Sequence, residues 1–266
     1  PIIENIDYRG IKAKKILKLL KENTFVKPRS SYNEINLKKE KKRLQEVLKN
    51  LGYYRAKLEI YVENKKNNLV SLVYKFDLGK KAKIKKISFV GNKLFKDKKL
   101  RRIIVSSEYK FWKFLTGRKY LNENLVEFDK RLLTNFYKNN GYYNVKVNSS
   151  FAKMINDDEF ELVFNIDAKS KVFFGDLSLD LPSDYDENNF NKIKKLFTKI
   201  RGNPYSINII DKILDEIDLI ASIEQYQFVN STVVENIIEN KLNLVFKISE
   251  TEKYYVKKIN IYGNDI

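Results

Sequence analysis

The segment Leu-Gly-Tyr-Tyr-Arg-Ala-Lys at residues 51–57 returns as Asn-Gly-Tyr-Tyr-Asn-Val-Lys at residues 140–146, so its glycine recurs after 89 positions (141 − 52). A second marker is an alternating strand that ends in glycine at Gly10, Gly91 and Gly263. These glycines are 81 (91 − 10) and 172 (263 − 91) positions apart, and a degenerate copy at residues 174–181 fills the longer gap. Two independent markers with one period of about 85 residues predict a tandem repeat.

The hydrophobic pattern changes from strand to helix and back within each period. In the first unit, apolar residues at helical spacing predict a short helix around residues 16–20 and a longer one that begins at an Asn36 cap and stops at Gly52. Alternation over residues 55–62 predicts one strand after the helices, and the polar segment 64–68 turns the chain into a further strand over residues 69–76.

The other two units repeat this order. In the second unit the long helix follows Asn122, and four of its residues are expected to face inward: Leu125, Phe128, Leu132 and Phe136. Strands follow at 144–151 and 159–166. In the third unit the pattern predicts helices near 187–200 and 208–221 and strands near 225–234 and 241–249.

The element order β-α-α-β-β predicts an α+β fold in which each repeat is a three-stranded mixed sheet with two helices on one face. The predicted domains are 1–82, 83–170, 171–253 (with degenerate markers) and the first strand of a truncated fourth repeat at 254–266. The links near 80–84 and 168–173 are short and are not rich in glycine or proline, which predicts semi-rigid joints.

Composition narrows the function classes. The chain contains neither cysteine nor histidine, so it has no thiol nucleophile, no disulfide and no imidazole base or metal ligand. We therefore predict no catalytic residue, metal site or cofactor, and no enzymatic activity. No segment approaches the roughly 18–20 apolar residues of a membrane-spanning helix.

The net charge of +18 is unevenly distributed. There are 21 basic and 9 acidic residues in 1–82, 19 and 10 in 83–170, but 10 and 14 in 171–253. Basic repeats are one signature of nucleic-acid binding, so a nucleic-acid-binding repeat array is the alternative interpretation. The acidic third unit argues against it, and the excess of lysine and asparagine over arginine has a simpler source in an AT-rich genome.

The repeated unit as a whole resembles the POTRA domains of BamA-like outer-membrane assembly proteins. The likeness rests on the strand that ends in Gly-Asn, the Gly-Tyr-Tyr link, the period and the order of elements. Residues 110–120 are also similar to an aromatic insert that ends in Gly-Asp-Arg-Lys-Tyr in the third POTRA domain of that family. By this likeness the units correspond to the second, third and fourth POTRA domains and the start of the fifth.

The resemblance implies a function. It implies a periplasmic scaffold, the soluble part of an outer-membrane protein whose longer parent chain carries a membrane β-barrel. Such a scaffold receives unfolded outer-membrane proteins and docks accessory assembly lipoproteins. An exposed sheet edge suits this task, because an extended client can add to it as a further strand through backbone hydrogen bonds. No nucleic-acid partner is expected on this interpretation.

In the POTRA pattern the second strand of each repeat lies at an edge, which nominates candidate binding residues in the first two repeats. They are Val145, Lys146, Val147, Asn148 and Ser149, and Ala56, Lys57, Leu58, Glu59 and Ile60. A lysine on an edge strand either prevents promiscuous pairing or takes part in recognition, and both interpretations remain open for these two lysines.

Aromatic residues are the other candidates for partner contacts. Trp112, within the aromatic insert, is a possible partner contact, whereas Phe111 and Phe114 are expected to fold back onto their own repeat. The tyrosines of the two Gly-Tyr-Tyr links are expected to pack at the margin of the core rather than to contact a client. The third unit has Gln225-Tyr226 in place of this link, which puts equivalent contacts there in doubt.

Overall fold

The computed structural model describes residues 1–92, 94–110, 120–153, 158–226 and 229–250. These residues form three three-stranded sheets, each accompanied by helices from the same part of the chain. The α+β class and the order β-α-α-β-β are therefore confirmed. The strand predicted within 254–266 lies outside the described residues.

The first sheet contains β1 (Ile2–Arg9), β2 (Lys57–Asn64) and β3 (Leu69–Asp77), and α1 (Lys14–Asn23) and α2 (Glu34–Asn50) connect β1 to β2. The central strand is β3, which runs parallel to β1 and antiparallel to β2. The sheet is therefore mixed, as predicted, and β2 occupies one of its edges.

The second sheet contains β4 (Lys83–Asn92), β5 (Lys146–Lys153) and β6 (Glu159–Asp167), with α3 (Asp97–Ile103) and α4 (Glu123–Lys138) between β4 and β5. Its strand order is β4-β6-β5, and β4 is parallel to β6. This is the arrangement of the first sheet, with β5 in the position of β2.

The third sheet has the same order, β7-β9-β8, with β7 parallel and β8 antiparallel to β9. Its elements are β7 (Phe173–Asp180), a 3-10 turn (Glu187–Phe190), α5 (Asn191–Ile200), α6 (Ile207–Ile223), β8 (Val229–Ile238) and β9 (Lys241–Glu250). The strand predicted from residue 225 starts later, because Gln225 and Tyr226 belong to the turn that closes α6.

Tertiary contacts divide the chain into two compact units, residues 1–133 with 147–167, and residues 134–146 with the chain from Ala168 onward. One apolar core of the first unit lies between the first sheet and its helices, where Leu20, Leu44 and Leu48 are fully buried. The second unit has an equivalent core around the third sheet. The last turn of α4 thus groups with the third sheet, and the predicted domain boundaries remain predictions.

The ends of α2 follow from its sequence with one correction. The N-cap is Asn33 and not Asn36, since the Asn33 side chain accepts hydrogen bonds from the N–H groups of Ile35 and Asn36. At the other end, Gly52 has a φ of 90° and its N–H donates to the Lys49 carbonyl, while the Tyr53 N–H donates to the Leu48 carbonyl. This Schellman arrangement confirms that Gly52 ends the helix.

Helix α2 buries a carboxylate. Glu40 is 0% exposed, and its Oε2 accepts the N–H groups of Phe25 (3.0 Å) and Val26 (3.5 Å), just after α1. Its Oε1 accepts the Tyr74 hydroxyl at 3.2 Å. Burial raises the pKa of Glu40 above its ordinary value, although these hydrogen bonds act in the opposite direction. Glu40 thus fixes the segment after the short helix to the long helix.

The second repeat contains the same device. Asp129 lies 12 positions before Gly141 (141 − 129), as Glu40 lies 12 before Gly52 (52 − 40), and it is also 0% exposed. It accepts the N–H of Val105 at 2.6 Å and of Ser106 at 3.1 Å, just after α3. The third repeat has Ile213 at this position (225 − 213), fully buried in its apolar core.

The inward face of α4 is offset by one residue from the predicted face, on which Leu125, Leu132 and Phe136 are half-buried. The buried residues of that helix are Val126, Asp129, Leu133 and Tyr137. Phe128, predicted to face inward, is 41% exposed. A hydrophobic pattern assigns charged residues to the exposed face of a helix, so it does not predict that the face with Asp129 is buried. Hydrogen bonds from backbone N–H groups offset the free-energy cost of burying this carboxylate.

Removal of the Glu40 carboxyl group should destabilise the chain. Glu40→Leu leaves two backbone N–H groups and the Tyr74 hydroxyl without their partner, and we expect a loss of about 2–4 kcal/mol in the free energy of unfolding. Glu40→Gln keeps both an acceptor and a polar group for Tyr74 and serves as the matched control. Urea denaturation of both variants provides the measurement, and equal stability of the two would contradict the assigned role.

The raised pKa of Glu40 adds a pH dependence. A carboxyl group with a raised folded-state pKa favours the protonated folded protein, so its contribution to stability is lost as pH rises from about 4.3, the unfolded value, through the folded pKa. Glu40→Gln does not titrate. The Tm of Glu40→Gln relative to the parent chain should therefore increase as pH rises through this range, and a decrease would show that the pKa is lowered instead.

Candidate polypeptide-binding edges

The strand order leaves β2 with a free edge, since among the described residues it pairs with β3 alone. In the hairpin that follows, the Lys65 N–H donates to the Leu69 carbonyl at 2.8 Å. Paired residues of an antiparallel ladder alternate between bonded and non-bonded pairs, so every second residue of β2 directs its N–H and C=O groups away from β3. These residues are Leu58, Ile60 and Val62.

The nominated residues of the first repeat divide into two groups. The side chains of Leu58 (1% exposed) and Ile60 (half-buried) pack on the core of the sheet, and their backbone groups face the free edge. The side chains of Lys57 and Glu59 are exposed, and their backbone groups pair with β3. Ala56 lies one residue before the strand. A partner at this edge would therefore contact the backbone groups of Leu58 and Ile60 and the charged side chains of Lys57 and Glu59.

The second repeat presents its edge through β5. Val147 is buried, Lys146 and Asn148 are exposed, and Ser149 is half-buried. Val145 is buried and lies one residue before the strand. The structure therefore brings four of these five nominated residues together on one edge strand.

The third repeat has an equivalent edge strand that the sequence interpretation did not nominate. In β8, Val234 is 54% and Ile238 is 56% exposed. The strand and its place as the second strand of the third repeat were expected from the order of elements, but without a Gly-Tyr-Tyr link none of its residues was nominated.

The second tyrosine of each link contacts the neighbouring repeat. The Tyr54 hydroxyl donates to Glu123, the first residue of α4, at 2.7 Å, and burial raises the Tyr54 pKa above its ordinary range. The Tyr143 hydroxyl donates to Glu235 on β8, and mainly this hydrogen bond raises the pKa of Tyr143 to about 12. These tyrosines therefore belong to the joints between repeats.

A backbone relay forms each joint beside these tyrosines. The Ala82 N–H donates to the Gly52 carbonyl (2.8 Å), and the Ala82 carbonyl accepts the Leu121 N–H (2.9 Å). In the second compact unit, Val172 bonds in the same way to Gly141 (2.8 Å) and Tyr205 (2.9 Å). One linker residue thus connects the end of one long helix to the residues just before the next.

Trp112 and the aromatic insert cannot be placed in this arrangement, because residues 111–119 lie outside the described residues. In the part of the chain that the structure covers, no group of three or more acidic side chains is arranged to hold a metal ion. Likewise, no described helix combines the length and apolar character needed to cross a membrane.

The family model for POTRA, described as a surface antigen variable number repeat, matches residues 1–79 and 82–169, more than half of the chain. The chain belongs to the POTRA family. The two matches cover the first two sheets with their helices. The third repeat lies beyond the matched residues but has the strand order of the two POTRA domains before it.

Relatives of this POTRA chain include outer membrane protein assembly factors. It is 28% identical over 217 residues to BamA of Neisseria meningitidis serogroup B, an alignment that covers 79% of this chain and 27% of that protein. It is 26% identical over 277 residues to BamA of Buchnera aphidicola subsp. Acyrthosiphon pisum, covering 100% of this chain and 43% of the relative. The chain thus spans less than half of the length of these relatives.

A solved structure shows the same fold. The crystal structure of Haemophilus influenzae BamA POTRA3-5 superimposes with a TM-score of 0.51 at 12% identity, covering 94% of this chain and 96% of the other. At this identity the likeness concerns the fold alone. The correspondence of the three repeats to the second, third and fourth POTRA domains therefore remains a prediction.

The third repeat preserves the POTRA helix-closing turn without its glycine. Gln225 adopts the left-handed φ of 58° at the position of Gly52, and the Tyr226 N–H donates to the Ala221 carbonyl as that of Tyr53 does to Leu48. Tyr226 stacks on Tyr185 with ring centroids 3.7 Å apart. The turn therefore survives where the sequence marker is lost, at the cost of strain at Gln225.

Substitutions at this turn should have opposite effects in the first and third repeats. A left-handed conformation costs a non-glycine residue about 1–2 kcal/mol, so Gln225→Gly should raise the free energy of unfolding by about 1 kcal/mol. Gly52→Ala should lower it by about 1–2 kcal/mol, because it adds this strain and a Cβ 3.2 Å from the Tyr120 side chain. Thermal denaturation of both variants tests this, and a loss of stability in Gln225→Gly would contradict it.

Proposed function

We propose that this chain is a periplasmic polypeptide-binding scaffold of outer-membrane protein assembly, which receives extended client segments by strand addition at β2 and β5. The observation that carries the proposal is the free edge of β2, along which Leu58, Ile60 and Val62 direct backbone groups outward. Backbone hydrogen bonding is largely independent of side-chain identity, so one edge accepts many different client sequences.

The relatives support the setting of this function. Two BamA proteins, described as outer membrane protein assembly factors, align with most or all of the chain. We extend that role to this chain and, from the POTRA resemblance, propose for it a periplasmic location and the docking of accessory lipoproteins. The proposed role is binding, without catalysis.

Charge around the edges gives the scaffold a modest preference. Lys57 on β2 and Lys146 on β5 are exposed. Glu59 is an exposed acidic residue on β2. A lysine on an edge opposes uncontrolled pairing with a second basic edge. We propose that the same lysines favour clients with acidic or uncharged segments.

An NMR titration tests strand addition directly. The 15N-labelled chain is titrated with a short peptide that alternates valine and threonine, with acidic residues at its ends. Saturable amide shifts along β2 and β5 are the expected result. Shifts that avoid both strands would contradict the proposed site.

Val62 offers a variant that separates backbone from side-chain binding. It is 38% exposed and its N–H faces the free edge, where proline is tolerated. Val62→Pro removes one outward donor, and we expect binding at β2 to weaken by about tenfold, the effect of one lost hydrogen bond of about 1.4 kcal/mol. Val62→Thr keeps the donor and should bind like the parent, so equal affinity of all three would exclude backbone pairing at this position.

A short oligonucleotide in the same titration addresses the alternative function. Contacts with phosphates give an affinity that falls steeply with salt. Salt-sensitive shifts over the lysine-rich helices with the oligonucleotide, in the absence of peptide shifts at the edges, would favour a nucleic-acid-binding array.

A further inference from the structure

Each sheet has a second edge, formed by β1, β4 and β7, and the start of this edge pairs with the chain itself. In β1, the Ile3 N–H donates to Ser30 (2.9 Å) and its carbonyl accepts from Arg29 (2.7 Å). In β7, the Phe174 N–H donates to Asn203 (2.9 Å) and its carbonyl accepts from Gly202 (2.8 Å). The loop after the short helix thus acts as a one-residue strand partner.

A β-bulge follows this pairing in each sheet. The next residue with backbone groups that face the edge has different hydrogen-bond partners in different repeats. In β4, Ile87 comes after the bulge and pairs in register with Leu162. Its N–H donates to the Glu108 carboxylate at 3.0 Å, and its carbonyl accepts from the Arg101 guanidinium at 2.7 Å. Arg101 and Glu108 also bind each other. This ion pair provides the acceptor and donor that a neighbouring strand would provide.

Among its described residues, 171–226 and 229–250, the third repeat has no counterpart of this ion pair. Leu177 corresponds to Ile87, because it follows the bulge of β7 and pairs with Leu244, the counterpart of Leu162 in the central strand. Arg101 lies two residues before the end of α3, and the residue two before the end of α5 is Thr198. Its short side chain donates to the Lys194 carbonyl within its own helix. The loop from Arg201 to Pro204 contains no acid.

A groove replaces the ion pair. A cavity of about 660 Å³ lies against β7 and α5, with Leu177, Leu179, Phe197 and Thr198 among its lining residues. Alternation along the strand directs the backbone groups of Leu177 and Leu179 to the same side. Arg201 pairs with Asp176 at 2.6 Å at the start of this segment. The groove therefore combines apolar side chains from β7 and α5 with charged and polar side chains, including Asp176, Lys194 and Arg201.

We propose that the edge of β7 is a separate docking site for an extended polypeptide segment of alternating apolar and polar residues. The segment would continue the pairing that Gly202 and Asn203 begin, with backbone hydrogen bonds to Leu177 and Leu179. Its apolar side chains would enter the groove over Phe197. This site takes the same class of partner as the proposed function, an extended polypeptide. It lies at the opposite edge of the sheet from the β2-type strand and in the third repeat, where no residue was nominated.

The test uses the 15N-labelled 266-residue chain and the alternating valine-threonine peptide, here with lysine at its ends to compare with the acidic form. We expect saturable shifts of the Leu177 and Leu179 amides. A peptide N-methylated at every residue has no backbone N–H to donate to β7, and its binding there should fall by about tenfold or more. Equal binding of the methylated peptide at β7 would overturn strand pairing at this edge.

Protein variants provide a matched comparison. Leu177→Pro removes the outward donor and should abolish the shift of Leu179, whereas Leu177→Val keeps the donor and should not; a dispersed amide spectrum confirms that each variant is folded. The double change Arg101→Ala and Glu108→Ala should expose Ile87 and create a new peptide-dependent shift there. No response at Ile87 would contradict the role of the ion pair as a strand substitute.

The outcomes separate this inference from the proposed function. Peptide shifts in β2 and β5 without any in β7 would overturn the inference and support the proposed function. Shifts in β7 alone would support the inference and contradict strand addition at β2 and β5. Absence of shifts at all three strands would overturn both.

Discussion

The hydrogen bond from one linker residue to the carbonyl of the residue after the long helix is the constraint on which each described joint depends. The carbonyls of Gly52 and Gly141 point toward the linker, because the left-handed φ of each glycine turns the chain back at the end of the helix. The N–H groups of Ala82 and Val172 donate to these carbonyls, and the carbonyls of Ala82 and Val172 accept hydrogen bonds from the residues just before the next long helix. The hydroxyls of Tyr54 and Tyr143 add a side-chain hydrogen bond to each joint, to Glu123 and Glu235 respectively.

The buried carboxylates have a similar logic inside the first two repeats. The segment after each short helix exposes N–H groups that no strand or helix satisfies. Glu40 and Asp129 reach these groups from the long helix and hold the segment against it. The third repeat has a shorter loop between its helices, which pairs with β7 as the longer loop of the first repeat pairs with β1. Ile213 there adds to the apolar core where the other two repeats have a buried carboxylate. Unsatisfied backbone groups therefore decide which side chain is tolerated at this position.

Much of the fold could be predicted from the sequence, because alternation and helical spacing report directly on burial. The repeat and the element order follow from markers such as the Gly-Tyr-Tyr links. One prediction failed where a polar group has a partner distant in sequence, and another failed where the sequence offered two equivalent candidates. The inward face of α4 was misplaced since Asp129 satisfies Val105, and the N-cap was misplaced since two asparagines three residues apart have the same propensity.

The candidate site was less predictable. The Gly-Tyr-Tyr link marks the turn before β2 and β5, whereas the turn before β8 has no such mark, because Gln225 adopts it without the glycine that signals it. The Arg101–Glu108 pair and the groove of β7 depend on a short helix and a loop meeting a strand in three dimensions. No spacing in the sequence reports that meeting, and the binding roles of all these edges rest on the proposed experiments.

The relay at the joints has an evolutionary consequence. Its essential atoms are main-chain atoms, so the side chains of a linker can drift, as alanine at 82 and valine at 172 illustrate. A duplicated repeat carries with it both the carbonyl that ends its long helix and the amide that receives the preceding linker. Gene duplication can therefore lengthen or shorten such an array by whole modules without inventing a new interface each time.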